Sequence, residues 1–376
     1  MADSTAADRL PAGPGRFRLV DALRGFAATL VALFHFNGIL SLDGAAPFVL
    51  QPLEWLFSHG NAGVQVFFVL SGFVVTWNVD QLGRLGGRVL GRFCLRRSLR
   101  LDPPYFLVIG LTLLTFPLVG RGIVSTVGPV DLVANLLYAD QLFARTSVLG
   151  VGWTLCLEIQ LYLVLFLTLW ASQSLQRAGF TRQQSRIFVF LPLLASSTVL
   201  GTGKLASLFI EHWFEFFLGV TVAWLVTEAD GAAVRWWLAA LAATATVAWR
   251  EGSVVPLFSA GTALLLGLAS SRGGLAIAIG GAPLQWLGRI SYSIYLLHVL
   301  VGVSFLDLAG RRISFAGASS LTLWALLLAA LALSLGAAWA FWKLVEAPSQ
   351  KLARRLFATA VPVRIPTPLA QEAVHA

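Results

Sequence analysis

Residues 24–35 read RGFAATLVALFH, an apolar stretch with an arginine at its start and a histidine at its end. The stretch lies within a longer apolar run, residues 19–40, whose length suits a helix that crosses a bilayer. Ionisable side chains are costly in hydrocarbon, so those that occur there are candidates for function. The run therefore predicts a membrane span that carries two functional candidates, Arg24 and His35.

The composition of the 376-residue chain is that of a membrane protein. Hydrophobic residues make up 57% and charged residues only 12%, which is more apolar surface than a soluble fold of this length buries. The mean hydropathy is +0.78. A net charge of +9 would suit a nucleic-acid-binding protein, but the basic residues lie in short connections between apolar runs. The composition argues against that class and predicts an all-α polytopic membrane protein.

Apolar runs of near-spanning length predict about ten transmembrane helices in one bundle. A further run, LVANLLYADQLF at 132–143, is too short and too polar to span, and we expect an interfacial or re-entrant helix there. Pro103 and Pro104 are expected to mark the start of the third span. The ten predicted spans are 19–40, 62–79, 104–120, 153–171, 187–203, 206–227, 235–250, 254–270, 290–308 and 320–344.

Arginine and lysine are distributed unevenly between the two sides that ten spans define. The loop at 41–61 has neither residue, whereas six arginines lie between Arg84 and Arg100 on the other side. By the positive-inside rule, both termini are expected in the cytoplasm. The predicted organisation is a cytoplasmic tail at 1–16, a membrane domain at 17–346 and a cytoplasmic tail at 347–376.

Arg24 and His35 are eleven residues apart. On a helix this spacing is three turns with about 20° left over, so both side chains lie on one face, about 16 Å apart. Arg24 would lie at the cytoplasmic mouth, where a guanidinium can bind a phosphate. His35 would lie deep in the span, where an imidazole can take a proton from a hydroxyl. The alternative is a core histidine bonded to a carbonyl and an arginine that only anchors the helix.

Glu158, in GWTLCLEIQLYLVLF, is the second candidate inside a span. Counted from the ends of their helices, Glu158 and His35 lie at levels that differ by only a few Å in a core of about 30 Å. We therefore expect that they meet, with the glutamate fixing the tautomer of the histidine. A glutamate that serves only helix packing is the alternative.

Arg97 and Arg100 lie one helical turn apart in RFCLRRSLRLDPPYFLV. Two guanidinium groups at a membrane mouth can clamp a pyrophosphate or a nucleotide 3′-phosphate. Anionic lipid headgroups are the more common explanation of such a cluster, and charge alone favours them.

Other polar residues of the spans are expected to have structural roles. Gly72, next to Ser71, indicates close helix packing. No set of histidines and cysteines has the spacing of a metal site, and we expect no metal. Structural pairing between helices is the expectation for His298, Glu211, His212 and Glu215.

Six motifs, in order, resemble those of the integral-membrane acyltransferase family 3, which comprises ten-span O-acyltransferases that modify bacterial polysaccharides, lipids and macrolides. The resemblance extends from about residue 17 to 355 and is closest to the stand-alone members, which have no attached esterase-like domain. One departure is Ile159, where the family commonly has a second glutamate. The motifs are VDALRGFAATLVALFH, GVQVFFVLSGF, LRRSLRLDPPY, WTLCLEIQLYL, LGRISYSIYLLH and LVEAPSQKL.

The resemblance implies a multi-pass enzyme of the bacterial cytoplasmic membrane. It would transfer an acyl group, most often acetyl, from acyl-CoA to a hydroxyl of a carbohydrate, a lipid-linked sugar or a macrolide-like acceptor. Acyl-CoA is then a donor substrate and not a permanently bound cofactor. The resemblance maps Arg24 onto a donor-contacting position and His35 onto the catalytic one, and it matches Arg97 and Arg100 to the arginine-pair motif of the family. We expect Arg24, Arg97 and Arg100 to hold the CoA phosphates, and Glu158 to orient His35. A transporter or flippase of a lipid-linked sugar is the alternative that buried charges leave open.

Overall fold

The computed structural model describes residues 17–42, 51–119, 126–200, 207–228, 230–271 and 281–356. No β-strand occurs within these ranges. The α-helices are α1 (Arg18–Leu40), α2 (Gln51–Ser58), α3 (Gly63–Asp80), α4 (Gly87–Thr115), α5 (Pro129–Leu136), α6 (Gly152–Arg177), α7 (Arg182–Leu200), α8 (Trp213–Glu228), α9 (Gly231–Glu251), α10 (Val255–Ser271), α11 (Gly281–His298), α12 (Ser304–Gly310), α13 (Ser320–Phe341) and α14 (Ala347–Leu356).

Each of the ten predicted spans coincides with a helix. Two of these helices continue through a π-helical turn. Turns at Val299–Val303 and Trp342–Glu346 join α11 to α12 and α13 to α14. In the described ranges, seven helices are long and apolar enough to cross a membrane, and α10 is a shorter apolar helix. Helices α4 and α7 occupy the remaining two runs. The all-α polytopic fold class is confirmed.

Several predicted boundaries fall partly on residues that the structure does not describe. These are the tail at 1–16, residues 357–376 of the second tail, and the ends of three spans at 120, 201–203 and 206. The second tail begins as α14, which packs against α4.

Burial separates a central layer from a peripheral one. Within the most apolar windows of α3 and α8, 72% of the residues are buried, against 28% for the α13–α14 segment. Helices α3 and α8 are apolar all round, as expected of helices enclosed by others. The site described below is built around α1, α4, α6 and α11, which surround or adjoin this centre.

Small residues let the central helices approach closely. A Cβ atom at Gly288 of α11 would lie 2.0 Å from the carbonyl oxygen of Asp21 on α1, so only glycine fits there. A Cβ atom at Gly72 of α3 would likewise lie 2.0 Å from the carbonyl oxygen of Phe216 on α8. The close packing predicted at Gly72 is confirmed, and the Gly288 contact fixes α1 against α11.

The start of the third span was predicted wrongly. Helix α4 begins at Gly87 and continues through Pro103 and Pro104 to Thr115. A proline removes one backbone N–H, but a membrane helix tolerates this where neighbouring groups satisfy the freed carbonyls. The arginine-rich stretch is therefore the first half of the helix and not a loop before it.

The segment after α4 folds back against that helix. Helix α5 has only eight residues, and beyond it Tyr138 donates a hydrogen bond of 3.0 Å to Asp102 in the middle of α4. The Tyr138 ring also stacks on Tyr105, with centroids 4.3 Å apart. The side chain of Asn135 accepts from Val148 N–H (2.9 Å), which satisfies backbone at this depth. The prediction that 132–143 does not span is confirmed.

Candidate active site

Three arginines from two helices converge near the N-terminal end of α1. Arg24 lies on the second turn of α1, and Arg97 and Arg100 lie one turn apart on α4. The guanidinium groups are near enough to repel one another, while Glu158 and Glu346 attract Arg100. The fold thus gathers three cations around two carboxylates, an arrangement that suits an anionic ligand.

Glu158 belongs to this arginine cluster. Its Oε1 atom accepts a hydrogen bond of 2.9 Å from the Ser71 hydroxyl on α3. The same atom lies 3.6 Å from the Arg97 guanidinium. Helices α3, α4 and α6 therefore meet at one carboxylate.

An aromatic ring completes the setting of Arg97. The guanidinium carbon lies 3.4 Å from the centroid of the Tyr162 ring, a cation–π distance. The hydroxyl of Tyr162 in turn donates to Ser71 at 3.3 Å. The contacts form a closed ring that runs through Arg97, Glu158, Ser71 and Tyr162. This ring limits the orientations that the Arg97 guanidinium can adopt.

Glu346 was not singled out as a site residue in the sequence. It lies at the end of the second π-helical turn, 2% exposed, where it accepts from Ser293 of α11 at 2.6 Å and from Gln350 at 2.8 Å. It also attracts Arg100 and Arg24. A carboxylate directly after the last predicted span, 320–344, and within the motif LVEAPSQKL was the signal that could have identified it.

His35 contacts a second histidine. Its Nδ1 atom lies 2.9 Å from the carbonyl oxygen of Val31 and 3.3 Å from Nε2 of His298 on α11. His298 is fully buried, and its Nδ1 atom lies 3.2 Å from the carbonyl oxygen of Ile294. The structural pairing between helices predicted for His298 is confirmed, with His35 as its partner.

When both rings are neutral, these contacts fix their tautomers. A carbonyl oxygen only accepts, so Nδ1 of His298 carries a hydrogen and its Nε2 carries a lone pair. That lone pair accepts from Nδ1 of His35, which also faces the Val31 carbonyl. The hydrogen of His35 therefore lies on Nδ1, and Nε2 of His35 is left with a lone pair that can accept a proton.

The expected hydrogen bond between His35 and Glu158 is not formed. Thr154 of α6 bonds to Tyr295 of α11 at 2.6 Å, which sets the level of α6 against α11. From this shared level, His298 lies three residues along α11 in one direction. Glu158 lies four residues along α6 in the opposite direction. At 1.5 Å per residue, the two side chains start about 10 Å apart along the helix axes. The prediction assumed that α6 starts at the membrane surface, whereas Thr154 in the first turn of α6 lies level with Tyr295, which is fourteen residues into α11.

Two cavities adjoin Glu158. The larger, about 280 Å³, lies between α4 and α6, and the smaller, about 50 Å³, lies between α1, α3, α6 and α11. They share Leu155, Glu158 and Tyr292. The smaller one reaches from Arg24 to Tyr295, whose ring centroid lies 5.9 Å from that of His298. The smaller cavity thus extends from Arg24 toward the histidine pair.

The remaining predicted pairing lies elsewhere. His212 contacts Glu215 within the same turn at 3.0 Å, and Ser259 of α10 donates to Glu215 at 3.5 Å. This links α8 to α10.

In the part of the chain that the structure describes, no group of three or more His, Cys, Asp or Glu residues could hold a metal ion.

Fold and site define a polytopic helical membrane protein with a cationic site and a buried imidazole pair inside the bundle. A family model described as an acyltransferase domain matches residues 18–343. The chain belongs to this family, the integral-membrane acyltransferase family 3, as its motifs indicated. It is thus a membrane acyltransferase, which decides against the transporter that buried charges alone left open.

A curated relative is Nodulation protein 10 of Rhizobium leguminosarum bv. viciae. It is 28% identical over 322 residues, which cover 75% of this chain and 82% of the relative. No solved structure matches the chain.

Proposed function

We propose that this acyltransferase uses acyl-CoA as its donor and transfers the acyl group, such as acetyl, to a hydroxyl of a carbohydrate, a lipid-linked sugar or a related acceptor. We place it in the bacterial cytoplasmic membrane with both termini in the cytoplasm, because the arginine-rich side of the chain is then internal. The observation that carries the proposal is the division of α1 between two sites. Arg24 joins a cationic cluster, and three turns further His35 joins a histidine pair.

The arginine cluster is the proposed donor site. Arg24, Arg97 and Arg100 would bind the phosphates of CoA from the cytoplasmic side, because guanidinium groups bind phosphate oxygens in pairs. Glu158, Ser71 and Tyr162 would hold Arg97 in position. Glu158 is on this view a positioning residue for the donor site.

The histidine pair is the proposed catalytic site. The acceptor hydroxyl oxygen attacks the thioester carbonyl carbon while Nε2 of His35 takes the hydroxyl proton. The carbon–sulfur bond then breaks, and the thiolate takes the proton back from the imidazolium to leave as the CoA thiol. His298 would keep Nε2 of His35 unprotonated at the start of the cycle and stabilise the imidazolium.

Acyl transfer by purified protein tests this proposal. Full-length protein in nanodiscs would receive radiolabelled acetyl-CoA and a hydroxyl-bearing extract of bacterial envelope glycans and lipids. We expect label to move to an acceptor, His35→Ala to lower the rate at least a hundredfold, and the matched histidine variant His59→Ala to retain it. Transfer at the normal rate by His35→Ala would overturn the catalytic assignment, and indifference to acetyl-CoA would overturn the donor.

A further inference from the structure

The larger cavity has the shape of a cleft between two spanning helices. It separates α4 from α6, and the end of α5 forms its third wall. Leu101, Leu137, Ile159 and Leu163 are among its apolar walls. Its volume of about 280 Å³ exceeds the roughly 150 Å³ that holds a benzene molecule in a protein interior.

The polar groups of the cleft are largely bonded to one another. Ser98 and Tyr138 both donate to the Asp102 carboxylate, the second over 3.0 Å. Tyr292 donates to the Leu101 carbonyl at 3.0 Å. Because these donors and acceptors are satisfied, the cleft offers few hydrogen bonds to a hydrated sugar and favours hydrocarbon instead.

The mouth of the cleft opens on the outside of the bundle. Leu137 is 69% exposed and Leu163 is 38% exposed. Leu163 lies on α6, which is long and apolar enough to span a membrane, so its exposed side faces lipid chains and not water. The mouth therefore gives access to the cleft sideways from the bilayer.

Arg97 supplies a cationic end. It is the one of the three clustered arginines that lines the cleft, and its side chain is 26% exposed. A guanidinium has five N–H donors, yet its nearest carboxylate, Glu158, is 3.6 Å away, and its Nε atom is buried without a hydrogen-bond partner. Phosphate oxygens would accept from the exposed N–H groups of this guanidinium.

We propose that this cleft binds the hydrocarbon chain of a membrane lipid whose phosphate lies against Arg97. The apolar walls, the lateral mouth and the single cation at one end each match one part of such a molecule. The lipid would lie beside the proposed donor site. Lipid binding itself does not depend on acyl transfer.

Photolabelling of the full-length protein in nanodiscs tests this proposal. The probe is a phosphatidic acid with a diazirine in one acyl chain, and labelled peptides are mapped by mass spectrometry. We expect labels on the cleft walls of α4, α6 and the end of α5. Leu163→Trp, which fills the mouth, should lower this labelling at least fivefold. Leu167→Trp, one turn along the same lipid-facing side of α6 and outside the cleft, should leave it unchanged.

Two further probes establish the chemistry of the ligand. Diacylglycerol with the same diazirine chain should label the cleft at least threefold less than phosphatidic acid, and Arg97→Gln should remove that difference. Equal labelling in Leu163→Trp and the native protein would overturn the proposal. Labelling of the cleft by a diazirine acyl-CoA but not by phosphatidic acid would also overturn the proposal, because the occupant would then be the acyl chain of the donor. Acyl transfer is measured in a separate assay, so a failure of the proposed acyl transfer would not change the labelling results.

Discussion

The two ends of α1 hold their functional side chains by different means. At the N-terminal end, Arg24 joins a cluster of charges contributed by α4, α6 and the turn after α13, in which every carboxylate also has a hydroxyl or amide partner. At the other end, the rings of His35 and His298 bond to each other and to carbonyls of their own helices. The comparison indicates that the first site is built to bind charge and the second to exchange a proton.

The second site depends on helix packing more than the first. Helices α1 and α11 bring their histidines within 3.3 Å of each other, and a Cβ atom at Gly302, just after α11, would lie 2.3 Å from the ring of Phe36 beside His35. The arginine cluster has partners on several helices and can adjust when one of them shifts. This difference should become visible in variants.

Gly288→Ala should have the largest effect. Its Cβ atom would lie 2.0 Å from the Asp21 carbonyl oxygen, so α1 and α11 must move apart. We expect a loss of acyl transfer of at least a hundredfold together with a lower thermal unfolding temperature, measured in the same detergent. Gly110→Ala, at a position in α4 with no atom within 4 Å, is the matched control and should change neither. Normal activity in Gly288→Ala would show that the close approach is dispensable.

His298→Ala should lower kcat by about 10- to 100-fold, less than loss of the base itself, because His35 would keep its Val31 contact but lose the ring that fixes its tautomer. The KM for the donor should stay within twofold. His298→Gln, whose amide oxygen can accept from Nδ1 of His35, should recover part of the rate, and the pH profile of kcat should differ between the two variants. A role in packing alone would give equal losses for both and an unchanged profile.

Glu158→Gln should have the smallest effect, and it separates the two roles considered for this residue. If Glu158 positions Arg97, the KM for acyl-CoA should rise about tenfold with kcat within threefold, since one charge-assisted contact is weakened. If instead it orients His35, kcat should fall and its pH profile should shift. Steady-state kinetics against donor concentration distinguish these outcomes.

Much of the bundle could be predicted from the sequence, because membrane spans depend on local composition. The ten apolar runs, the short segment that does not span and the close packing at Gly72 follow from length, polarity and residue size. The start of α4 could not be predicted in the same way, because the effect of Pro103 and Pro104 depends on the helices around them.

The arginines of the site were predicted from the sequence, but Glu346 and the pairings within the site were not. Arg24, Arg97 and Arg100 stand out as charges near apolar runs, and the structure brings them together. The partner of His35 depends on the relative levels of α6 and α11, which the Thr154 contact sets. Such offsets are tertiary properties, so counting residues from helix ends assigned Glu158 to the wrong group.

Equilibrium binding of a non-hydrolysable acetyl-CoA analogue, measured beside turnover, tests most directly the claim that one helix serves a donor site and a separate catalytic site. For His35→Gln we expect a Kd within twofold of the native value and turnover reduced at least a hundredfold. For Arg97→Gln we expect a Kd at least tenfold weaker, as loss of a charge-assisted hydrogen bond requires. Loss of binding in His35→Gln in proportion to turnover, or native binding in Arg97→Gln, would contradict the account.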